Sequence, residues 1–159
     1  MKTLLLTALL LSCSCARAQS LTEFQWLSRP LILFAPSADD PLFLQQYQAL
    51  AAREEELRER RIKILFVTPE GRHENTGLFL DESLSEWYYR HFDAQPYQFE
   101  MVLVGLDGHE KFRARNTVTA PLILLELVDE MPMRRRELLQ GYQNKSQRQR
   151  ETDRQTRGN

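Results

Sequence analysis

Cysteine is nearly absent from this chain. Its 159 residues include only two, Cys13 and Cys15, both close to the N-terminus. Over the remaining length there is no thiolate nucleophile, no structural disulfide and no C-x-x-C pair. Histidine is scarce as well: His73, His91 and His109 stand on separate segments, with no H-x-H or H-x-x-x-H spacing. Zinc needs three or four converging ligands, and no local pair of them exists, so no metal site is expected. The six glycines form neither a phosphate-cradling loop nor a G-x-S-x-G elbow. No cofactor is implied. Nor does any apolar run reach the roughly 20 residues of a membrane-spanning helix.

What the first eighteen residues do contain is an export pattern. Lys2 supplies a small positive start, "LLLTALLLS" (Leu4 to Ser12) an apolar stretch, and "ARA" (Ala16 to Ala18) small residues where a signal peptidase cuts. Residues 1–18 are therefore expected to be a signal peptide, leaving an exported, periplasmic protein whose mature chain is free of cysteine. A rival reading takes "LLSC" (Leu10 to Cys13) as a lipobox, with the chain lipid-anchored through Cys13.

The chain as a whole is 42% hydrophobic and 27% charged, the range of one globular domain with a real core. Its charge is lopsided. From Arg134 onward eight Lys or Arg face three acids, whereas residues 19–133 carry eight more acids than cations. Such a division bears on solubility and contacts rather than on fold.

Hydrophobic periodicity sets out the elements. "SLTEFQWLSRP" (Ser20 to Pro30) is a lead-in whose Phe24 and Trp26 cover one edge of the core. "LILFA" (Leu31 to Ala35) is a short continuous apolar run, as in a strand buried on both faces. Asp40 then caps a helix that Pro41 opens, with Phe43, Tyr47, Leu50 and Leu57 on its apolar face and Glu54–Arg58 and Glu56–Arg60 as i,i+4 pairs. "IKILFV" (Ile62 to Val67) is a second strand, parallel to the first, and Thr68 to Gly77 a polar loop. A capping box, "SLSE" (Ser83 to Glu86), starts a helix with Leu84, Trp87, Tyr88 and Phe92 inward. "FEMVLVGLDGHEKFRAR" (Phe99 to Arg115) is a hairpin about Asp107-Gly108. "APLILLELVDEM" (Ala120 to Met131) is an apolar helix ended by Pro132. The order β-α-β-α-β-β-α, with two parallel crossovers and then a hairpin, is the thioredoxin-like α/β arrangement: a mixed central sheet with helices on both faces. The domain spans residues 19–137, and residues 138–159 read as a disordered basic tail.

The pieces "FQWLSRPLILFAPSADDP", "MVLVGLDGHEKFR" and "DEMPMRRRE" resemble a bacterial family known as domain of unknown function 4174. The same domain occurs in animal sushi-repeat and coiled-coil matrix proteins. The resemblance runs from Leu21 to Glu137, with "FAP" and "MPMR" its most telling parts. It implies a peroxiredoxin-like fold in a secreted or periplasmic protein, and it brings no established activity. The family often carries a lysine before the hairpin Asp-Gly, where this chain has Leu106.

In a peroxiredoxin the loop after the first strand holds a proline, a hydroxyl residue and the peroxidatic cysteine at a helix N-terminus, whose dipole lowers the thiol pKa. Counting on from Pro36, those positions fall on Asp40 and Phe43. In a thioredoxin register the C-x-x-C falls on Ala38 to Pro41. Neither register supplies sulfur. Pro36, Ser37, Asp39 and Asp40 remain as the candidate functional loop, with helix capping as the plain role of the acids and acid–base work, with His73, as the alternative. Lys111, Arg113 and Arg115 share one face of an edge strand and, with Arg134 beyond the last helix, are candidates for contact with an anion or partner; charged edges also discourage aggregation. Arg134 to Arg136 and the tail suit an anionic surface. Only Tyr142 is aromatic there, so nucleic acid is not an expected partner. The expectation is a domain without catalytic residues: a binding or scaffold module for an unknown protein or envelope component. A cysteine-independent enzyme and an envelope-contact protein are the alternatives.

Overall fold

The computed structural model describes residues 21–71, 73–75 and 78–157. The expected signal segment, residues 1–18, and the alternative anchor Cys13 lie outside the described residues. Cys13 and Cys15 are nevertheless part of the chain. The expectation of a cysteine-free mature protein is therefore corrected, because it depended on a cut after Ala18 that nothing here establishes. What holds is narrower: residues 21–157 contain no cysteine.

Four strands form the central sheet. They are β1 (Arg29–Phe34), β2 (Ile62–Val67), β5 (Glu100–Val104) and β6 (Glu110–Arg115), in the order β2-β1-β5-β6. The two central strands, β1 and β5, are buried at every position; beyond their charged first residues, Arg29 and Glu100, they are apolar throughout. Alternation divides their side chains between two cores. Ile32, Phe34, Val102 and Val104 pack with Phe24 and with Leu84, Tyr88, Tyr89 and Phe92 of α3 (Glu82–Phe92). Leu31, Leu33, Met101 and Leu103 pack on the other face. There they meet Phe43 and Leu50 of α1 (Pro41–Ala51), Leu57 of α2 (Glu54–Glu59) and Leu124, Leu125 and Val128 of α4 (Pro121–Glu130).

Several local expectations change. The single first helix is two, since the chain breaks at Ala52–Arg53 before α2 resumes. Phe43, Leu50 and Leu57 stay inward across the break, but Tyr47 is half exposed. The wet-face pairs form at i,i+3 instead of i,i+4, as Glu55–Arg58 (2.6 Å) and Arg53–Glu56 (2.7 Å). The loop after β2 contains a short hairpin, β3 (His73–Asn75) with β4 (Leu78–Leu80). Asp81, not Ser83, caps α3: its carboxylate accepts from the Leu84 amide at 2.8 Å, and that bond holds its pKa below the usual range. Of the lead-in aromatics, Phe24 is in the core and Trp26 is exposed.

Strand β2 is parallel to β1 as expected, but β5 is antiparallel. Glu100, which begins β5, lies opposite Phe34, which ends β1. The chain thus re-enters the sheet at the end it left. A helix between two strands permits a parallel crossover without requiring one. The hairpin β5–β6 turns as expected at Asp107-Gly108, where Gly108 takes a φ of 80° that a side chain would strain.

The tail departs most. Met131 ends α4 in an extended conformation, and Pro132 then opens α5 (Pro132–Arg157), a helix of 26 residues where a disordered tail was expected from residue 138. The disorder reading rested on the lack of an apolar face. Arg, Gln, Glu and Lys nonetheless favour helix locally, and no proline follows Pro132 to break it.

Candidate functional site

The loop after β1 sits at the shared C-terminal end of β1 and β2. Ala35 N donates to Val67 O at 3.0 Å, extending the parallel pairing by one residue. Two hydroxyls of α3 close the strand ends from the other face. Ser85 Oγ donates to Thr68 O, and the Tyr89 hydroxyl lies 3.1 Å from Ala35 O and 3.3 Å from Val67 O, donating to one at a time. Burial and the nearby Glu100 charge push the Tyr89 pKa far above its ordinary value, so it stays a neutral donor. Neither residue stood out in the sequence. The one available signal is their i,i+4 spacing on a helix whose other inward positions are apolar.

Beyond this floor the candidate loop diverges. Pro36 is half-buried, Ser37 and Asp39 face solvent, and the Asp40 amide donates to Ser37 O at 3.3 Å in a tight turn. Asp40 Oδ1 accepts from the Phe43 amide at 2.8 Å, which is the N-cap bond of α1. The two acids do different things and do not form one carboxylate site. Among the described residues no group of three His, Cys, Asp or Glu could hold a metal. The side chains of His73 and Glu74 lie outside the described residues. Asp40→Ala is accordingly expected to cost about 0.5–2 kcal/mol in urea unfolding, and Asp39→Ala to stay within about 0.5 kcal/mol of the parent. Equal costs would mean that Asp39 has a partner the cap geometry does not require.

The cation row of β6 turns inward electrostatically. Glu100 is fully buried and accepts from Gln95 N (3.0 Å), Gln98 Nε2 (2.8 Å), Arg113 Nη1 (2.9 Å) and Arg115 Nε (3.0 Å). Burial alone pushes its pKa up, but these four donors outweigh burial and hold it below the usual range. Arg113 also reaches Glu110 (2.6 Å) and Phe92 O (2.8 Å), while Lys111 pairs with Asp107 at 2.6 Å. Lys111, Arg113 and Arg115 are thus engaged within the domain, and only Arg115 keeps more than half its side chain in solvent.

Arg134 is likewise buried. It belongs to a cluster at the N-terminal end of β1 with Arg29 and Arg60 as the other cations and Glu59, Asp129 and Glu137 as the acids. Arg134 reaches Glu59 (2.8 Å), Asp129 (3.3 Å) and Glu137 (3.7 Å); Arg29, fully buried, reaches Glu137 (3.1 Å); Arg60 reaches Asp129 (2.6 Å). Arg29 Nη1 and Arg134 Nη1 also donate to the carbonyls of Arg60 and Glu59. The cluster ties α2, α4 and the first turn of α5 to the sheet. Its members Arg29, Asp129, Arg134 and Glu137 are supplied by "SRP" and "DEMPMRRRE", so those pieces build a structural lock. Arg135 and Arg136 stay exposed. A second buried tie is Gln46 of α1, which donates to Thr119 O (3.0 Å) and accepts from Thr119 N (2.7 Å). Leu106 is buried, and its carbonyl accepts from Trp26 N at 2.8 Å, so an apolar residue suits that position.

Residues 20–137 match the family described as Domain of unknown function (DUF4174). Coiled-coil domain-containing protein 80 of Danio rerio is 24% identical over 133 residues; the match takes in 74% of this chain and 15% of that much longer protein. Solved peroxiredoxin structures share the fold. The bacterioferritin comigratory protein of Xanthomonas campestris superposes with a TM-score of 0.52 at 16% identity, over 69% of this chain and 83% of its own. The 2-Cys peroxiredoxin of Plasmodium vivax gives 0.50 at 17% identity, over 68% and 67%. The fold is thus a mixed α/β sheet flanked by helices, thioredoxin- and peroxiredoxin-like, and residues 21–157 lack a catalytic disulfide pair.

Proposed function

The chain belongs to the DUF4174 family, and we propose that it serves as a non-catalytic binding or scaffold module. The observation that carries this reading is the loop at Pro36–Asp40. It occupies the place where peroxiredoxin-like folds do thiol chemistry, yet it offers an exposed Ser37 and Asp39 and a capping Asp40 over a floor sealed by Tyr89. Among the described residues this site has no thiol, and no base is paired with the Ser37 hydroxyl. The buried polar groups elsewhere serve as internal ties. Export, by cleavage after Ala18 or by anchoring at Cys13, belongs to the same proposal and rests on the N-terminal sequence alone.

The test is enzymatic. The full chain with Cys13→Ser and Cys15→Ser is expected to reduce neither hydrogen peroxide, alkyl hydroperoxide nor insulin disulfides above the uncatalysed rate. Turnover by that variant, lost on Asp39→Ala or Ser37→Ala, would establish a cysteine-independent enzyme instead. If neither activity appears, capture of one envelope protein by the immobilised domain, at a defined stoichiometry, completes the reading.

A further inference from the structure

Among the described residues are two apolar surfaces open to solvent. The first is a groove of about 540 Å³ beside the edge strand β2, floored by Phe43, Leu50, Leu57, Ile62, Ile64 and Phe66. Tyr47 stands over it half exposed, and Phe43 and Phe66 stack at 4.0 Å to form one end. Glu54, in the acidic first turn of α2, sits on the rim. The other two acids of that turn are paired, Glu55 with Arg58 and Glu56 with Arg53, whereas no ion pair to Glu54 is seen among the described residues.

The second surface is on α5. From Leu138 to Arg150 every residue of that helix is exposed. A helix this polar and this exposed is marginal in water by itself. Its only large apolar side chains beyond Glu137 are Leu138, Leu139 and Tyr142, which share one stripe at i, i+1 and i+4. Lys145 follows one turn later, near the same stripe.

We propose that α5 of one copy lies in the β2 groove of a second copy, making a two-fold dimer by reciprocal helix exchange. The position of the α5 root argues for a second copy over an unrelated protein. Arg134, in the first turn of α5, is bound to Glu59 at the end of α2, and α2 also supplies Leu57 and Glu54 to the groove. Stripe and groove therefore adjoin on one surface. A two-fold axis between them lets each stripe meet the other copy's groove, as a self-complementary interface requires. The helix does not fill its own groove: no α5 residue lines it, and Leu139 and Tyr142 are exposed. Beyond Glu137 it extends roughly 30 Å, about twice the length of α1, so it spans the groove. Leu139 and Tyr142 pack against Tyr47, Ile64 and Phe66, the helix-in-groove mode, and Lys145 faces Glu54. Net charge agrees, with a basic α5 meeting an acidic body. This pairing is independent of the binding-module reading, since a dimeric enzyme or a dimeric scaffold fits it equally.

Sedimentation velocity on the full chain, over roughly a hundredfold concentration range, is expected to show a monomer–dimer equilibrium. Leu139→Glu, Tyr142→Glu and Tyr47→Glu should each abolish the dimer while leaving the far-ultraviolet spectrum and thermal melt of the monomer in place. Glu54→Lys and Lys145→Glu should each weaken the dimer several-fold, and the two together restore it. A photo-crosslinking phenylalanine at position 142, in mixed isotope-labelled chains, should join between chains to the peptides of α1 or β2. A monomer at every concentration overturns the proposal. So does a dimer indifferent to these changes, a crosslink within one chain, or a charge swap that fails to rescue.

Discussion

Replacing Glu137 by leucine is expected to destabilise the domain by about 3–5 kcal/mol, the range seen when one member of a buried ion cluster is removed. Among the described residues Glu137 is the only acid paired with Arg29, whose side chain has no exposed surface. Without it, Arg29 keeps a hydrogen bond to Arg60 O, but its charge is buried with no counterion. Its Nε already lacks a partner among the described residues, so the site has little reserve. Arg134 would also lose one of its three acids. Equilibrium unfolding in urea measures the cost. Arg135→Ala and Arg136→Ala, at exposed positions in the same turn, should change stability by no more than about 0.5 kcal/mol. A Glu137→Leu loss below about 1 kcal/mol would mean that water or another acid reaches Arg29.

Acid should weaken the fold through the carboxylates, and Glu100 should carry much of that effect. Glu100, Asp129 and Asp107 have folded pKa values below their ordinary ones: in each, hydrogen bonds and nearby cations overcome the opposing push of burial. As pH falls, the unfolded chain therefore takes up protons first. The stability these groups contribute is complete above the ordinary carboxylate pKa, about 4, and is lost as pH drops through the lower folded values. Glu100→Gln separates the charge from the shape. At neutral pH it should cost about 1.5–3 kcal/mol, the worth of hydrogen bonds to a charged group. The gap should close in acid, where a protonated Glu100 resembles the amide. A gap that stays constant between neutral and acidic pH would place the cost in packing or amide orientation instead.

Sequence by itself determined the features settled within a few residues. Asp40 before Pro41 starts α1, Asp107-Gly108 turns the last hairpin, and the apolar run Leu31 to Ala35 is a strand buried on both faces. Each follows from a local dihedral preference or from a side-chain period, both of which can be read without a partner. The absence of sulfur from the candidate loop is legible for the same reason.

Tertiary structure alone decided the rest. The direction of β5 depends on which end of the sheet the chain re-enters, and no period records that. Arg60 satisfies an i,i+4 rule with Glu56 on paper, yet in the fold it pairs with Asp129, 69 residues away. Arg29 finds Glu137 across 108 residues, and among three consecutive arginines only Arg134 is buried. A charged side chain has many potential partners of equal local merit. Which one it takes is set by where the backbone leaves it without water, and that is a property of the packed fold.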